Sequence, residues 1–159
     1  MIGSENAQLS TTNSVFQAEV YAIDKSCHLL RQLETKSVTI FSDSMSGLYA
    51  LNAIQTRSTV VKNCLDSLNL LAVSGCKIEL KWVKGHDNHT GNEIADFLAK
   101  TGTANELNKV ELPPPKSTAT VKISNAMYKK WNQRWKSNPA DFKATKIFFP
   151  DLNRKRADS

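Results

Sequence analysis

The chain is 159 residues long, room for one ordinary domain and an appendage but cramped for two. Its 40% hydrophobic and 23% charged residues exclude an intrinsically disordered or membrane-embedded class. The net charge of +6 is lopsided: residues 1–104 hold 9 Lys and Arg against 10 Asp and Glu, whereas residues 105–159 hold 12 against 5.

Val15 to about Leu33 repeats Phe16, Val20, Ile23, Cys27 and Leu30 at steps of three and four, a helix with one buried stripe and Glu19 at its edge. Ser37-Val38-Thr39-Ile40-Phe41 is short, β-branched and aromatic, a buried strand running into Ser42-Asp43-Ser44. A helix follows, with Met45 and Leu48 on its inner face. Val61, Cys64, Leu65, Leu68 and Leu71 mark another, stopped by Gly75. Cys76, Ile78, Leu80 and Trp82 then alternate with Lys77, Glu79 and Lys81, a strand with one wet face. Thr90-Gly91-Asn92-Glu93 fits a capping box opening a helix to about Lys100, with Ile94, Phe97 and Leu98 expected inward. Two strands joined by helices imply an α/β layer with parallel pairing.

Pro113-Pro114-Pro115 reads as a stiff connector, which makes residues 105–120 a linker between a domain over 1–104 and a tail over 121–159. In the tail Ile123, Met127, Trp131 and Trp135 recur every four residues, an apolar helix face for docking. Lys122, Lys129, Lys130, Arg134 and Lys136 lie on the other face, a candidate nucleic-acid surface that also reads as an ordinary solvated one. The last residues, Asn153 to Ser159, are expected to fray.

Cys27, Cys64 and Cys76 are odd in number and embedded in apolar patterns, so they read as buried thiols rather than a disulfide framework or a zinc knuckle. No apolar run approaches the ~20 residues of a membrane helix, and the polar start lacks a signal peptide's apolar core. An intracellular protein with no membrane partner is expected.

Three carboxylates occupy informative places. Asp43 ends a strand, where ligand sites of open α/β sheets form. Glu19 sits on a stripe's rim, and Asp96 shares a helix face with Asn92 and Ala99. Hard oxygen donors without a Cys or His cage favour Mg²⁺ or Mn²⁺ over zinc. Each residue alone also has an ordinary reading: Asp43 as a helix cap, Glu19 as a solvated rim residue, Asp96 as a half-exposed helix charge.

Four segments in order, Phe16-Gln17-Ala18-Glu19-Val20-Tyr21-Ala22-Ile23, Ile40-Phe41-Ser42-Asp43-Ser44, Trp82-Val83-Lys84-Gly85-His86 and Gly91-Asn92-Glu93-Ile94-Ala95-Asp96, resemble the signature of type 1 ribonuclease H from non-LTR retrotransposon polyproteins. The resemblance spans roughly residues 5–104. It implies a ribonuclease H-like fold and endonucleolytic cleavage of the RNA strand of an RNA:DNA hybrid. It further implies two Mg²⁺ or Mn²⁺ ions held by Glu19, Asp43 and Asp96 within bridging reach, and His86 as a mobile loop histidine aiding proton transfer or product release. A reverse transcriptase portion of the parent polyprotein would be a partner. His28 and His89 match no catalytic position; His28 reads as structural or solvent-facing.

The resemblance also implies two opening antiparallel strands, the first bearing an Asp in Asp-Gly-Ser context, and this sequence has none; Glu5 and Asp24 stand in other contexts. The expectation is a truncated sheet with an apolar edge and slow or absent cleavage. The alternative function is a non-catalytic nucleic-acid-binding remnant relying on the basic tail.

Overall fold

A computed structural model describes residues 4–85, 90–104, 108–137, 145 and 147. The chain divides into two units, Met1–Pro115 and Lys116–Ser159. The first contains β1 (Gln8–Leu9), α1 (Val15–Gln32), β2 (Ser37–Ser42), α2 (Met45–Leu51), α3 (Thr59–Val73), β3 (Lys77–Trp82), α4 (Thr90–Gly102) and β4 (Lys109–Val110). The second contains α5 (Lys116–Ser137).

The expected α/β class and parallel pairing are present. β2 and β3 run parallel from Ser37↔Lys77 to Ser42↔Trp82. A second parallel pair joins β1 to β4; its partners are Gln8↔Lys109 and Leu9↔Val110. Both strands are too short to show a period, so sequence pattern carries no signal for them.

The core lies where the stripes of α1 and α3 meet one face of the β2–β3 pair. Val20, Ile23, Cys27, Ile40, Leu51, Val60, Val61, Cys64, Leu71 and Cys76 are buried in one cluster. All three thiols are therefore buried and free, as expected. Full burial of a side chain such as Leu71 contributes roughly 1.5–3 kcal/mol.

Local chemistry sets the ends of these helices. Ser14 and Gln17 form a reciprocal capping box at the start of α1. Ser58 caps α3 by accepting from the Val61 N–H, and α3 gives way to Gly75 at φ +89°, the left-handed conformation expected there.

Several sequence expectations need correction. Thr90 is already helical, so it is not the N-cap of α4. Ile94 and Phe97 are 54% and 66% exposed rather than inward. The reason is the side α4 turns to the fold: Ala95 and Ala99 line a cavity, and a Cβ on Gly102 would stand 3.1 Å from Asn6 Cβ. Gly102 is the buried residue of α4, and its missing side chain permits that approach.

Along α5, Ile123, Met127 and Trp131 are also exposed, at 61%, 55% and 63%. Its less exposed residues are instead Thr118, Ala119, Ser124, Tyr128, Asn132 and Trp135, of which only Trp135 belongs to the expected apolar face. No described helix is long and apolar enough to cross a membrane. The expected frayed terminus, 153–159, lies outside the described residues.

Candidate active site

The site forms between α1, the carboxyl end of β2 and α4. Each element delivers one carboxylate. Glu19 precedes the buried Val20 on α1, so it sits beside the core stripe and points into the space next to it. Asp43 follows the last residue of β2, and Asp96 lies on the same side of α4 as Asn92 and Ala99. All three line a half-open cavity of about 240 Å³, together with Ala18, Ala22, Ile40 and Ala95.

Asp43 is not the cap of the helix that follows. Ser44 takes that role, its Oγ accepting from the Gly47 N–H at 3.2 Å. The Asp43 carboxylate is left facing the cavity, where its Oδ2 lies 3.5 Å from Asn92 Nδ2. Asp96 is half-exposed and pairs across one helical turn with Lys100 at 3.7 Å.

The Glu19 carboxyl is pushed above its ordinary range, first by desolvation, then by the negative charges of Asp43 and Asp96. A cluster of this kind is relieved by protonation or by a cation. Its all-oxygen donor set suits a hard divalent ion in kind. Yet among the described residues no three His, Cys, Asp or Glu side chains stand close enough to form a metal-holding group.

His86 and His89 lie outside the described residues. His28 is solvent-facing on α1, with Nε2 3.8 Å from Asp24 Oδ1; Asp24 also accepts from the Ser67 hydroxyl. Lys122, Lys129, Lys130, Arg134 and Lys136 are all exposed on α5. With Lys116 they give this helix six cations and no carboxylate.

Pattern reading gave no specific contact to Asn92, Gly85 or Trp82. Asn92 was visible only as a neighbour of Asp96 one turn away. A Cβ on Gly85 would meet Asp43 Oδ2 at 3.1 Å, a close approach that sequence registers only as a glycine after a strand.

A family model described as RNase H matches residues 3–104. Among curated proteins, the chain is similar to the ribonuclease H of Mannheimia succiniciproducens, 34% identical over 113 residues that cover 60% of this chain and 65% of that protein. It is also similar to the ribonuclease H of Saccharomyces cerevisiae, 61% identical over 28 residues, 18% of this chain and 8% of that protein. A third, from Polaromonas sp., is 48% identical over 40 residues, a quarter of each chain. The chain thus spans less than two thirds of the length of these relatives.

Proposed function

The chain belongs to the RNase H family, and on that premise we propose that it acts on RNA:DNA hybrids, hydrolysing phosphodiester bonds of the RNA strand. The observation that carries this reading is that Glu19, Asp43 and Asp96 line one cavity at the carboxyl end of β2, where burial and, after it, the charges of the other two carboxylates hold Glu19 above its ordinary range. Concentrated negative charge in a cleft calls for cations, and a phosphodiester substrate needs the same cations to approach.

RNase H enzymes use divalent metal ions. Glu19, Asp43 and Asp96 are the residues that would hold Mg²⁺ or Mn²⁺ here, and such ions would supply charge neutralisation and activation of water. Among the described residues the three carboxylates do not stand as a ready three-ligand group. The chain's own contribution is to place the carboxylates: the α1 core stripe seats Glu19, the Ser42–Ser44 turn seats Asp43, and the small-residue side of α4 brings Asp96 alongside. His86 is proposed to assist proton transfer or product release. Recognition of the RNA strand through its 2′-hydroxyls and shape demands little sequence specificity.

A retrotransposon polyprotein, with a reverse transcriptase portion as partner, remains the proposed setting. A second reading, a non-catalytic nucleic-acid-binding protein, is favoured by one observation: α5 carries six cations and no carboxylate. Incubation of a labelled RNA:DNA duplex with the chain and Mg²⁺ or Mn²⁺ separates the two. Metal-dependent cleavage of the RNA strand that Asp43→Asn abolishes supports the enzyme; tight binding without cleavage supports the second reading.

A further inference from the structure

The turn carrying Asp43 is held from the neighbouring strand. Trp82 ends β3 in register with Ser42. Alternation with Ile78 and Leu80 predicts an inward side chain, yet Trp82 is 47% exposed. Its indole explains the position: Nε1–H donates to the Asp43 carbonyl oxygen at 3.2 Å. The same oxygen accepts from the Met45 N–H at 3.0 Å, so both its lone pairs are engaged.

The residues around Asp43 are fixed in the same way. The Ser42 carbonyl accepts from the Val83 N–H at 3.0 Å, and the Ser42 hydroxyl accepts from the Ser44 N–H at 3.2 Å. Three residues beyond Trp82, Gly85 closes on the other end of Asp43, where any Cβ would stand 3.1 Å from Oδ2 and 3.8 Å from Asp43 Cβ. The Asp43 main chain is thus tied to β3 by one hydrogen bond, and its carboxylate is confined by the backbone just after the same strand.

We propose that Trp82 and Gly85 are positioning residues for Asp43. The indole N–H fixes where the turn sits, and the bare Cα of Gly85 fixes how far the carboxylate leans out of the cavity. This rests on the reading of Asp43 as a functional carboxylate. Displacement of a reacting group by ~1 Å costs on the order of a hundredfold in rate, so a single hydrogen bond or methyl group at this turn has leverage out of proportion to its stability.

Two measurements on the full chain test it. In the first, hydrogen exchange of the Trp82 indole is compared with that of Trp131, which is 63% exposed. The bond requires Trp82 to exchange more slowly, by about tenfold or more. In the second, Trp82→Phe keeps a ring and removes the donor, and Gly85→Ala adds one methyl against Oδ2. Both should lower kcat on a hybrid substrate by about tenfold or more while KM stays within about twofold and the melting midpoint within a few degrees.

An indole exchanging as fast as that of Trp131 overturns the proposal whether or not the chain cleaves. So do an unchanged kcat in both variants and a loss that only tracks unfolding. A protected indole in a wild-type chain that cleaves nothing retains the pinning of Asp43 and retires the hybrid-cleaving reading instead.

Discussion

The side-chain amide of Gln17 donates to the carbonyl oxygen of Pro113 at 2.9 Å, 96 residues further along the chain. Gln17 is only 6% exposed, and its Oε1 accepts from Asn13 Nδ2 at 3.1 Å and from the Ser14 N–H at 3.2 Å. The segment after α4 therefore closes over the start of α1, with β4 paired to β1 and Leu112 packed against the core. Gln17→Ala should cost about 1–3 kcal/mol, because it removes three part-buried hydrogen bonds, each worth roughly 0.5–1.5 kcal/mol. Urea unfolding would show this as a lower midpoint at unchanged slope. A midpoint equal to wild type would mean that the Pro113 segment contributes nothing to holding α1.

Glu19 should make stability depend on pH with a definite sign. Its folded pKa lies above 4.5, so the folded state binds the proton more tightly than the unfolded state. The resulting stability is fully present below pH 4.5 and is lost as pH rises through the folded pKa. At pH 7 the ionised Glu19 opposes folding, and Glu19→Gln should raise the thermal midpoint by on the order of a few degrees. Below pH 4 the two proteins should converge. A variant less stable than wild type at pH 7 would show that the carboxylate has a stabilising partner instead of two like-charged neighbours.

Periodicity made most of the first unit legible, since α1, α3 and the β2–β3 pair bury residues at regular steps. It gave the wrong side of α4 because Ile94 and Phe97 outweigh Ala95, Ala99 and Gly102 in any hydrophobic count. The side that faces the cavity instead carries Ala95 and Ala99, and the helix meets Asn6 and Ala7 closely at Gly102. Residues 105–120 resembled a connector from their prolines, although β4 pairs with β1 and the Pro113 carbonyl is tied to Gln17. Such pairing between distant short segments leaves no local pattern. At the site, Glu19, Asp43 and Asp96 could be nominated from their places beside a stripe, a strand end and a helix face. The Trp82 and Gly85 contacts depend on strand register and backbone distance, which no residue type encodes.

The paired burial of Cys27 and Cys64 gives a reactivity prediction. Desolvation, with a lesser contribution from Asp24, pushes the Cys27 thiol up to about 11. Desolvation and then Cys27 and Asp24 push Cys64 up to about 12. At pH 8 both should stay unmodified by an aromatic disulfide reagent until the chain unfolds, because the thiolate is the nucleophile. Raised folded values also mean stability present below pH 9 and lost as pH rises towards 11 and 12. Rapid native labelling of either cysteine, identified by mass spectrometry, would show that the α1–α3 interface opens.

The salt dependence of nucleic-acid binding tests the role of α5, provided the cut is made in the right place. Cutting after Asn108 removes β4 and Leu112 and so disturbs the first unit. Cutting after Pro115 removes the second unit alone. Six cations, five of them exposed together at Lys122, Lys129, Lys130, Arg134 and Lys136, lie on α5 without a carboxylate among them. Each one that meets a phosphate releases counterions, so log affinity should fall against log salt by roughly 0.9 per contact, and loss of three contacts should flatten the slope by roughly 2.7. Sequence preference should hardly change, because phosphate contacts carry no base information. The near-neutral first unit, with its carboxylate cavity, should then bind weakly and depend on divalent ions. If the chain ending at Pro115 keeps both the affinity and the slope of the full chain, α5 is not the nucleic-acid arm. Its exposed Ile123, Met127 and Trp131 would then have to be explained by another partner.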